Sequence, residues 1–345
     1  MKYGAIPENV FERLAMAAGR VPLPLLDAIY SLMKTRCLMA GVRLGVFEAL
    51  RDGPRTAVEV AAERGLDAEC TGLLLRMLTF ADYLEQRGER FGLSTLGRRC
   101  LIAGSPMDMR GYVEWNYTQW DFVAQLEELL RTGQGLDFHA SMLDPEQWKH
   151  YQRGMLEVAR FDAPTLAARV PVRTGARKLL DVAGSHGLLG AAICRKHPPL
   201  RSTVLELPMA IEPARELARE AGIDDVVDHR GGDLHTSDLG SDNDVILLSN
   251  ILHHFKPDQN LAVLRRAHAA LTPAGTVAIW EIERPRPDKK AGAGDGAALF
   301  FRLTSSAACY GGDEYGLWLR EAGFHDVRIA RPILSPGGVL VTGRT

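Results

Sequence analysis

Cysteine is scarce in this chain, and none is paired by spacing. The five residues Cys37, Cys70, Cys100, Cys194 and Cys309 stand far apart in 345, with no Cys-x-x-Cys and no Cys/His cluster at metal spacing. That excludes a disulfide scaffold and a cysteine-built metal centre, and it reads as a set of reduced thiols in a cytoplasmic protein. An excess of one charge is missing too. Lys and Arg number 41 against 43 Asp and Glu, a net charge of -2, so composition argues against nucleic acid and against a membrane surface as partners. No apolar run reaches the roughly 18 residues a membrane span needs, and Met1 to Arg20 mixes acids into what would be the apolar core of a signal peptide. There is no internal repeat, and no carboxylate cluster suited to a divalent metal. The length admits two domains, each able to bury a core.

What is present centres on Leu179-Leu180-Asp181-Val182-Ala183-Gly184-Ser185-His186-Gly187-Leu188-Leu189-Gly190. An apolar run enters small residues and continues into a helix from Leu188 to Arg195, which predicts a strand, a tight turn and a helix N-terminus. Small residues let backbone lie close against a ligand, and in open α/β sheets ligands bind beyond the carboxyl ends of the strands. A nicotinamide fingerprint asks for Gly-x-Gly-x-x-Gly; here Gly184, Gly187 and Gly190 fall three apart and Ser185 takes the place of a glycine. Taken alone the stretch fits an ordinary strand-to-helix turn equally well. A second acid shifts the balance: Ser202 to Leu205 is a β-type run ending in Glu206, where a carboxylate can accept both hydroxyls of a ribose.

Ahead of that turn, Pro24 to Leu50 carries apolar residues at helical spacing, with a bend expected near Gly41 or Gly45. Thr56 and Glu59 are spaced as a capping box, Gly65 ends the helix they open, and Asp67 can cap a second helix from Cys70 to Ala81. A β-hairpin around Gly88 completes a winged helix. Its second helix offers one arginine, Arg76, among mostly apolar residues, so it suits packing on its own core or on another subunit better than a DNA groove. Residues 107 to 170 read as helical. Tyr112, Trp115, Tyr117, Trp120 and Phe122 suit core packing, or the lining of an apolar pocket for a flat substrate.

Beyond Glu206, helices alternate with strands at 226–230, 244–248 and 276–280, the last two apolar, as a doubly wound parallel sheet requires. The end differs. Strands at 327–330 and 339–342 are joined through Ser335-Pro336-Gly337-Gly338, too short a link for a parallel crossover, so they pair antiparallel. That pair and the glycine spacing disfavour a dehydrogenase.

In order and spacing these pieces resemble the class I S-adenosylmethionine-dependent methyltransferases, in particular the dimeric O-methyltransferases of the caffeate and acetylserotonin type. Asp181 to Gly187 stands for that family's Asp-Val-Gly-Gly-Gly-x-Gly, Glu206-Leu207-Pro208 for its Asp-Leu-Pro, and Gly232-Asp233-Leu234 for its Gly-Asp-Met. Leu252-His253-His254-Phe255 stands for Leu-His-Asp-Trp, and Arg153-Gly154-Met155 matches a helix that reaches the active site. The resemblance spans nearly the whole chain. It implies a winged-helix dimerisation domain over 1–105, a helical linker and pocket segment over 106–174, and a Rossmann-like catalytic domain over 175–345 that ends in an antiparallel strand.

The resemblance further implies S-adenosyl-L-methionine as cofactor, a homodimer, and a small-molecule acceptor. Gly184 would lie against the methionine part of the cofactor, Glu206 would hold the ribose, Asp233 and Leu234 would meet the adenine, and Ser249 would add a further contact. Met155 and Trp120 are expected on the acceptor side. Methyl transfer needs alignment and removal of one proton, so His253 is the expected general base, with Glu281 orienting its imidazole. Three departures from the family stand out: His254 replaces its Asp, Phe255 replaces its Trp, and Gly311-Gly312 leads to Asp313-Glu314 where the family has Glu-Arg-Thr, which leaves open whether Glu314 substitutes. Alternatives on the same fold are transfer to nitrogen, carbon or carboxylate, and a winged-helix regulator that senses the cofactor.

Overall fold

A computed structural model of the chain describes residues 4–284, 286, 288, 290–305, 307–333, 335 and 337–345. Pro336, in the expected link between the last two strands, lies outside the described residues. The chain divides between Tyr117 and Thr118 into two compact units.

In the first unit, strands β1 (Arg55–Thr56), β2 (Leu84–Arg87) and β3 (Arg90–Leu93) form an antiparallel sheet in the order β1-β3-β2. The expected capping box forms: Thr56 Oγ1 accepts from Glu59 N at 3.2 Å and Glu59 Oε2 accepts from Thr56 N at 2.7 Å. Gly65, in the left-handed region, closes the helix Ala57–Arg64, and Asp67 caps Ala68–Phe80 through Cys70 N at 2.8 Å. These local signals set the angle between the two helices, so Leu75 and Leu78 meet Phe47, Leu50, Val60 and Phe91 in one core. On the same second helix, Leu73 and Phe80 stay 64% and 62% exposed. The expected bend falls at Gly45, whose φ of +68° follows the helix Leu32–Arg43.

The second unit is built on seven strands: β4 (Lys178–Val182), β5 (Arg201–Glu206), β6 (Val227–Gly231), β7 (Asn243–Ser249), β8 (Leu271–Ile282), β9 (His325–Ala330) and β10 (Gly338–Arg344). Their spatial order is β6-β5-β4-β7-β8-β10-β9. The first five are parallel, and β10 runs antiparallel to both neighbours, as the short final link requires. Every residue of β7 is buried, because helices cover both faces of the sheet. One side packs Leu180, Ile246, Leu248 and Val277 on the helix Pro257–Ala270; the other packs Leu179, Val245 and Leu247 on Leu166 of the long helix Pro145–Arg169 and on Ile193. Residues 118–169 thus belong to the same unit as the sheet. The chain builds β4, β5 and β6 outward and then returns to lay β7 on the other side of β4, so strand order reverses at β4 and a crevice opens at the carboxyl ends.

Candidate active site

At those carboxyl ends lies a cavity of about 440 Å³. Its walls collect the turns that follow β4 (Ala183, Ser185), β5 (Glu206, Leu207), β6 (Gly232, Asp233, Leu234) and β7 (Asn250, Ile251, His254). Three of these residues hold strained backbone. Ala183, Ser185 and Asn250 have φ of 54°, 53° and 51°, a region that L side chains avoid, and such strain concentrates where backbone must approach a ligand. Two of the three stand where the family has glycine, which is why the glycine fingerprint is faint.

Glu206 is 6% exposed at the end of β5. Its Oε2 accepts from Ser185 N at 3.0 Å and its Oε1 from Leu207 N at 2.8 Å, so each oxygen keeps acceptor capacity toward the cavity. Burial pushes its carboxyl up to about 6, against those two N–H donors. Asp233 is pinned by its own turn: its N donates to Ser237 Oγ at 2.9 Å and its Oδ1 accepts from His235 N at 2.6 Å. Leu234 and Phe255 add apolar wall beside it, and the His235 ring stands edge-on to Phe255 at 4.5 Å. A carboxylate with two open acceptors, an apolar slot and a polar rim suit a nucleoside.

Gly184 and Ser249 are not among the cavity-lining residues. A Cβ on Gly184 would come within 2.3 Å of the buried Asp181 carboxyl, so packing inside the turn already demands glycine there. Ser249 is buried at the end of β7, and its Oγ has no protein partner. Met155 lies on the long helix one turn beyond Tyr151, which does line the cavity, and Trp120, 37% exposed, is not among the lining residues.

His253 and Glu281 come together as expected. The strand β8 runs to Ile282, two residues beyond the apolar stretch read from sequence, and holds Glu281 fully buried. Glu281 Oε1 accepts from Ile251 N at 2.8 Å and Leu252 N at 2.7 Å, fixing the turn after β7, while Oε2 lies 2.7 Å from His253 Nδ1. An ionised carboxylate only accepts, so Nδ1 carries the proton and Nε2 bears a lone pair. His253 Nε2 is buried with no protein partner. Glu314 is engaged elsewhere, accepting from Gly311 N at 2.7 Å to cap its own helix and pairing with Arg284.

Around this pair lie His254 and rings that carry no mark in the sequence. His139 stacks on Trp148 (5.8 Å between centroids, 19° between planes), and its ring is 4.6 Å from that of His254. The rings of His254 and Phe301 each lie 4.1 Å from that of His253. Burial and the neighbouring His253 push His139 down to about 3 and His254 well below the ordinary imidazole range. Burial and the charge of Glu206 push the Tyr151 hydroxyl up. A lone histidine after a glycine-rich break gives sequence reasoning nothing to hold, and only the fold brings His139 here.

A family profile described as an O-methyltransferase domain matches residues 121–325, and one described as an O-methyltransferase dimerisation domain matches 26–102. The chain is 32% identical over 325 residues to 3-hydroxy-5-methyl-1-naphthoate 3-O-methyltransferase of Streptomyces sahachiroi, covering 92% of this chain and 93% of that one. It is 31% identical over 261 residues to mitomycin biosynthesis 6-O-methyltransferase of Streptomyces lavendulae, covering 72% and 73%. Among solved structures, human N-acetylserotonin methyltransferase in complex with SAM shares the fold, with a TM-score of 0.84 at 19% identity over 99% of each chain. The chain therefore belongs to the O-methyltransferase family: it is an S-adenosylmethionine-dependent methyltransferase whose dimerisation domain supports assembly as a homodimer.

Proposed function

We propose that this enzyme methylates a hydroxyl on a flat, aromatic natural-product molecule, and that His253 removes the hydroxyl proton. When bound, S-adenosylmethionine supplies a methyl group already activated by a sulfonium, so the protein must align the partners and take up one proton. Glu206 accepts the ribose hydroxyls, Asp233 and Leu234 meet the adenine, Gly184 backs the methionine part, and Ser249 is a further cofactor contact. Toward the acceptor, His139, Trp148 and Tyr151 offer rings, and Met155 and Trp120 are the further acceptor residues of this reading. The observation that carries the base assignment is the lone pair on His253 Nε2, buried and unpartnered while Nδ1 is tied to Glu281. An imidazole held in that tautomer can accept a proton at Nε2.

Function divides along the chain into dimerisation (1–105), acceptor wall (106–174) and cofactor site with catalysis (175–345). The apolar second helix of the first unit, with Leu73 and Phe80 exposed and Arg76 its one basic residue, supports a protein partner over DNA. The near-neutral charge likewise supports a cytoplasmic enzyme with neither nucleic acid nor membrane as partner. No helix among the described residues is long and apolar enough to cross a membrane.

His253→Gln tests the base directly. Turnover of a hydroxyarene panel is expected to fall by about 10²–10⁴, while calorimetric affinity for S-adenosylmethionine stays within about twofold of the parent, because none of the cofactor contacts assigned above falls on His253. Normal turnover in that variant sinks the assignment.

A further inference from the structure

His253 rides on a single short turn, Leu252–His254, and belongs to no longer element. The turn's own bonds are loose: His254 N donates to Ile251 O at 3.1 Å and Phe255 N to Leu252 O at 3.2 Å. Glu281 steadies its amides, through Ile251 N and Leu252 N. Its carbonyls meet a different element, the helix Pro257–Ala270. Asn260 shares the buried face of that helix with Val263, Leu264 and Ala267, where packing against the sheet asks for an apolar residue. It is 0% exposed, and its Nδ2 donates to Leu252 O at 3.0 Å and to Phe255 O at 3.1 Å. Both partners are carbonyls, so the nitrogen end of the amide is the end that faces them. Oδ1 has no protein partner. An amide used at one end only is a poor way to stabilise an apolar core, and its presence calls for another reason.

We infer that Asn260 is a positioning residue for methyl transfer: by holding the carbonyls of Leu252 and Phe255 it fixes the backbone on both sides of His253 and so sets where Nε2 stands for the acceptor hydroxyl. The inference rests on the base assignment above. Leu252 is the pivot. Its N–H is committed to Glu281 on β8 and its C=O to Asn260 on the helix, so the residue before the base is held from two elements at once. Glu281 Oε2 then sets the ring through Nδ1. Alignment is what this clamp protects, since a displacement of about 1 Å at the reacting atoms can cost about a hundredfold in rate. Stability depends on Asn260 much less. Leu252 O also accepts from Phe255 N, and Phe255 O also accepts from the Tyr310 hydroxyl at 2.7 Å, so removing the amide leaves neither carbonyl without a donor. Position and stability can therefore be separated by experiment.

Asn260→Ala in the full chain makes that separation. One readout is the NMR signal of the His253 Nδ1 proton in protein labelled at histidine nitrogen, which needs no acceptor: a proton held between imidazole and carboxylate resonates far downfield and reports the geometry of the pair. The other is turnover of the hydroxyarene panel. The signal is expected to move upfield or broaden, and turnover to fall by about tenfold to a hundredfold. The melting temperature should shift by no more than about four degrees, and calorimetric affinity for S-adenosylmethionine should stay within about twofold. A residue that only supports the fold would lower the melting temperature and leave the His253 signal in place. An unchanged signal thus overturns the assignment whatever the stability does, and so does full turnover in Asn260→Ala while His253→Gln is inactive. If Asn260→Ala does not fold, Asn260→Thr decides on the same readouts: it keeps most of the bulk, and its hydroxyl turns back to the carbonyl of Lys256. Failure of the base assignment looks different, because His253→Gln would then turn over normally as well.

Discussion

Glu206 and Glu281 occupy the same kind of place and do opposite things. Both are buried at the carboxyl ends of parallel strands, β5 and β8, and both accept two backbone N–H groups. Glu206 spreads its donors, one on each oxygen, and lines a cavity. Glu281 stacks both donors on Oε1 and commits Oε2 to His253. The first carboxylate is an acceptor held open for a ligand; the second is closed on the protein and holds a turn and a ring in register. How a carboxylate's donors are divided between its oxygens thus decides whether it binds or braces, and identical residue types at equivalent strand ends are not interchangeable.

The sharpest break of this comparison is at Glu281. In Glu281→Gln the amide oxygen can still receive Ile251 N and Leu252 N, but the amide nitrogen now donates toward His253 and forces Nδ1 to accept. The proton moves to Nε2 and the base is lost. Turnover is expected to drop by about 10²–10⁴ with the melting curve little changed, since the turn is preserved. Glu281→Ala also orphans two buried N–H groups, costing about 2–6 kcal/mol, which a denaturant titration would register. Turnover retained in Glu281→Gln would show that Glu281 does not select the tautomer.

At Glu206 the effect falls on binding and on pH. Its carboxyl, ordinarily at 4.5, is pushed up to about 6 by burial, so folding favours the neutral form. Without cofactor, the contribution of Glu206 to stability is greatest below pH 4.5 and declines as pH rises through about 6, by about 2 kcal/mol in all. Cofactor affinity runs the other way. The ionised carboxylate accepts at both oxygens, whereas the protonated one must use an oxygen as donor, so affinity is expected to weaken as pH falls through about 6. Glu206→Gln should remove both trends and weaken binding at neutral pH by about tenfold to a hundredfold, measured by calorimetry across the range from about pH 5 to about pH 8. A variant with unchanged affinity would displace the ribose from this carboxylate.

The two regions also differ in how far they can be read from the chain. Glu206, Asp233 and Leu234 sit where a strand stops, β5 and β6, a local signal that marks the carboxyl end of a sheet whatever the rest of the fold does. His253 and Glu281 follow the same grammar on β7 and β8. The aromatic wall does not: His139 and Phe301 flank the histidines from segments far apart in sequence, and no periodicity distinguishes them from core residues. Trp120 shows the converse, an aromatic in a conspicuous cluster that the fold leaves partly exposed. Tyr151 is legible as a helical position, but its place beside Glu206 depends on where the long helix crosses the sheet.

The smallest expected effect sharpens the comparison from the backbone side. Ser185 donates its N–H to Glu206 from a left-handed conformation, φ 53°, and its buried Oγ has no protein partner. Glycine adopts that backbone without the side-chain clash and removes the orphaned hydroxyl, while loosening the unfolded chain slightly. Ser185→Gly is therefore expected to stabilise the protein by about 0.5–1 kcal/mol, a rise in melting temperature of about one to three degrees. Because the N–H that holds Glu206 is kept, cofactor affinity should change by less than about twofold. If affinity instead falls sharply while stability rises, the hydroxyl itself touches the ligand, and the strain at Ser185 is maintained for binding.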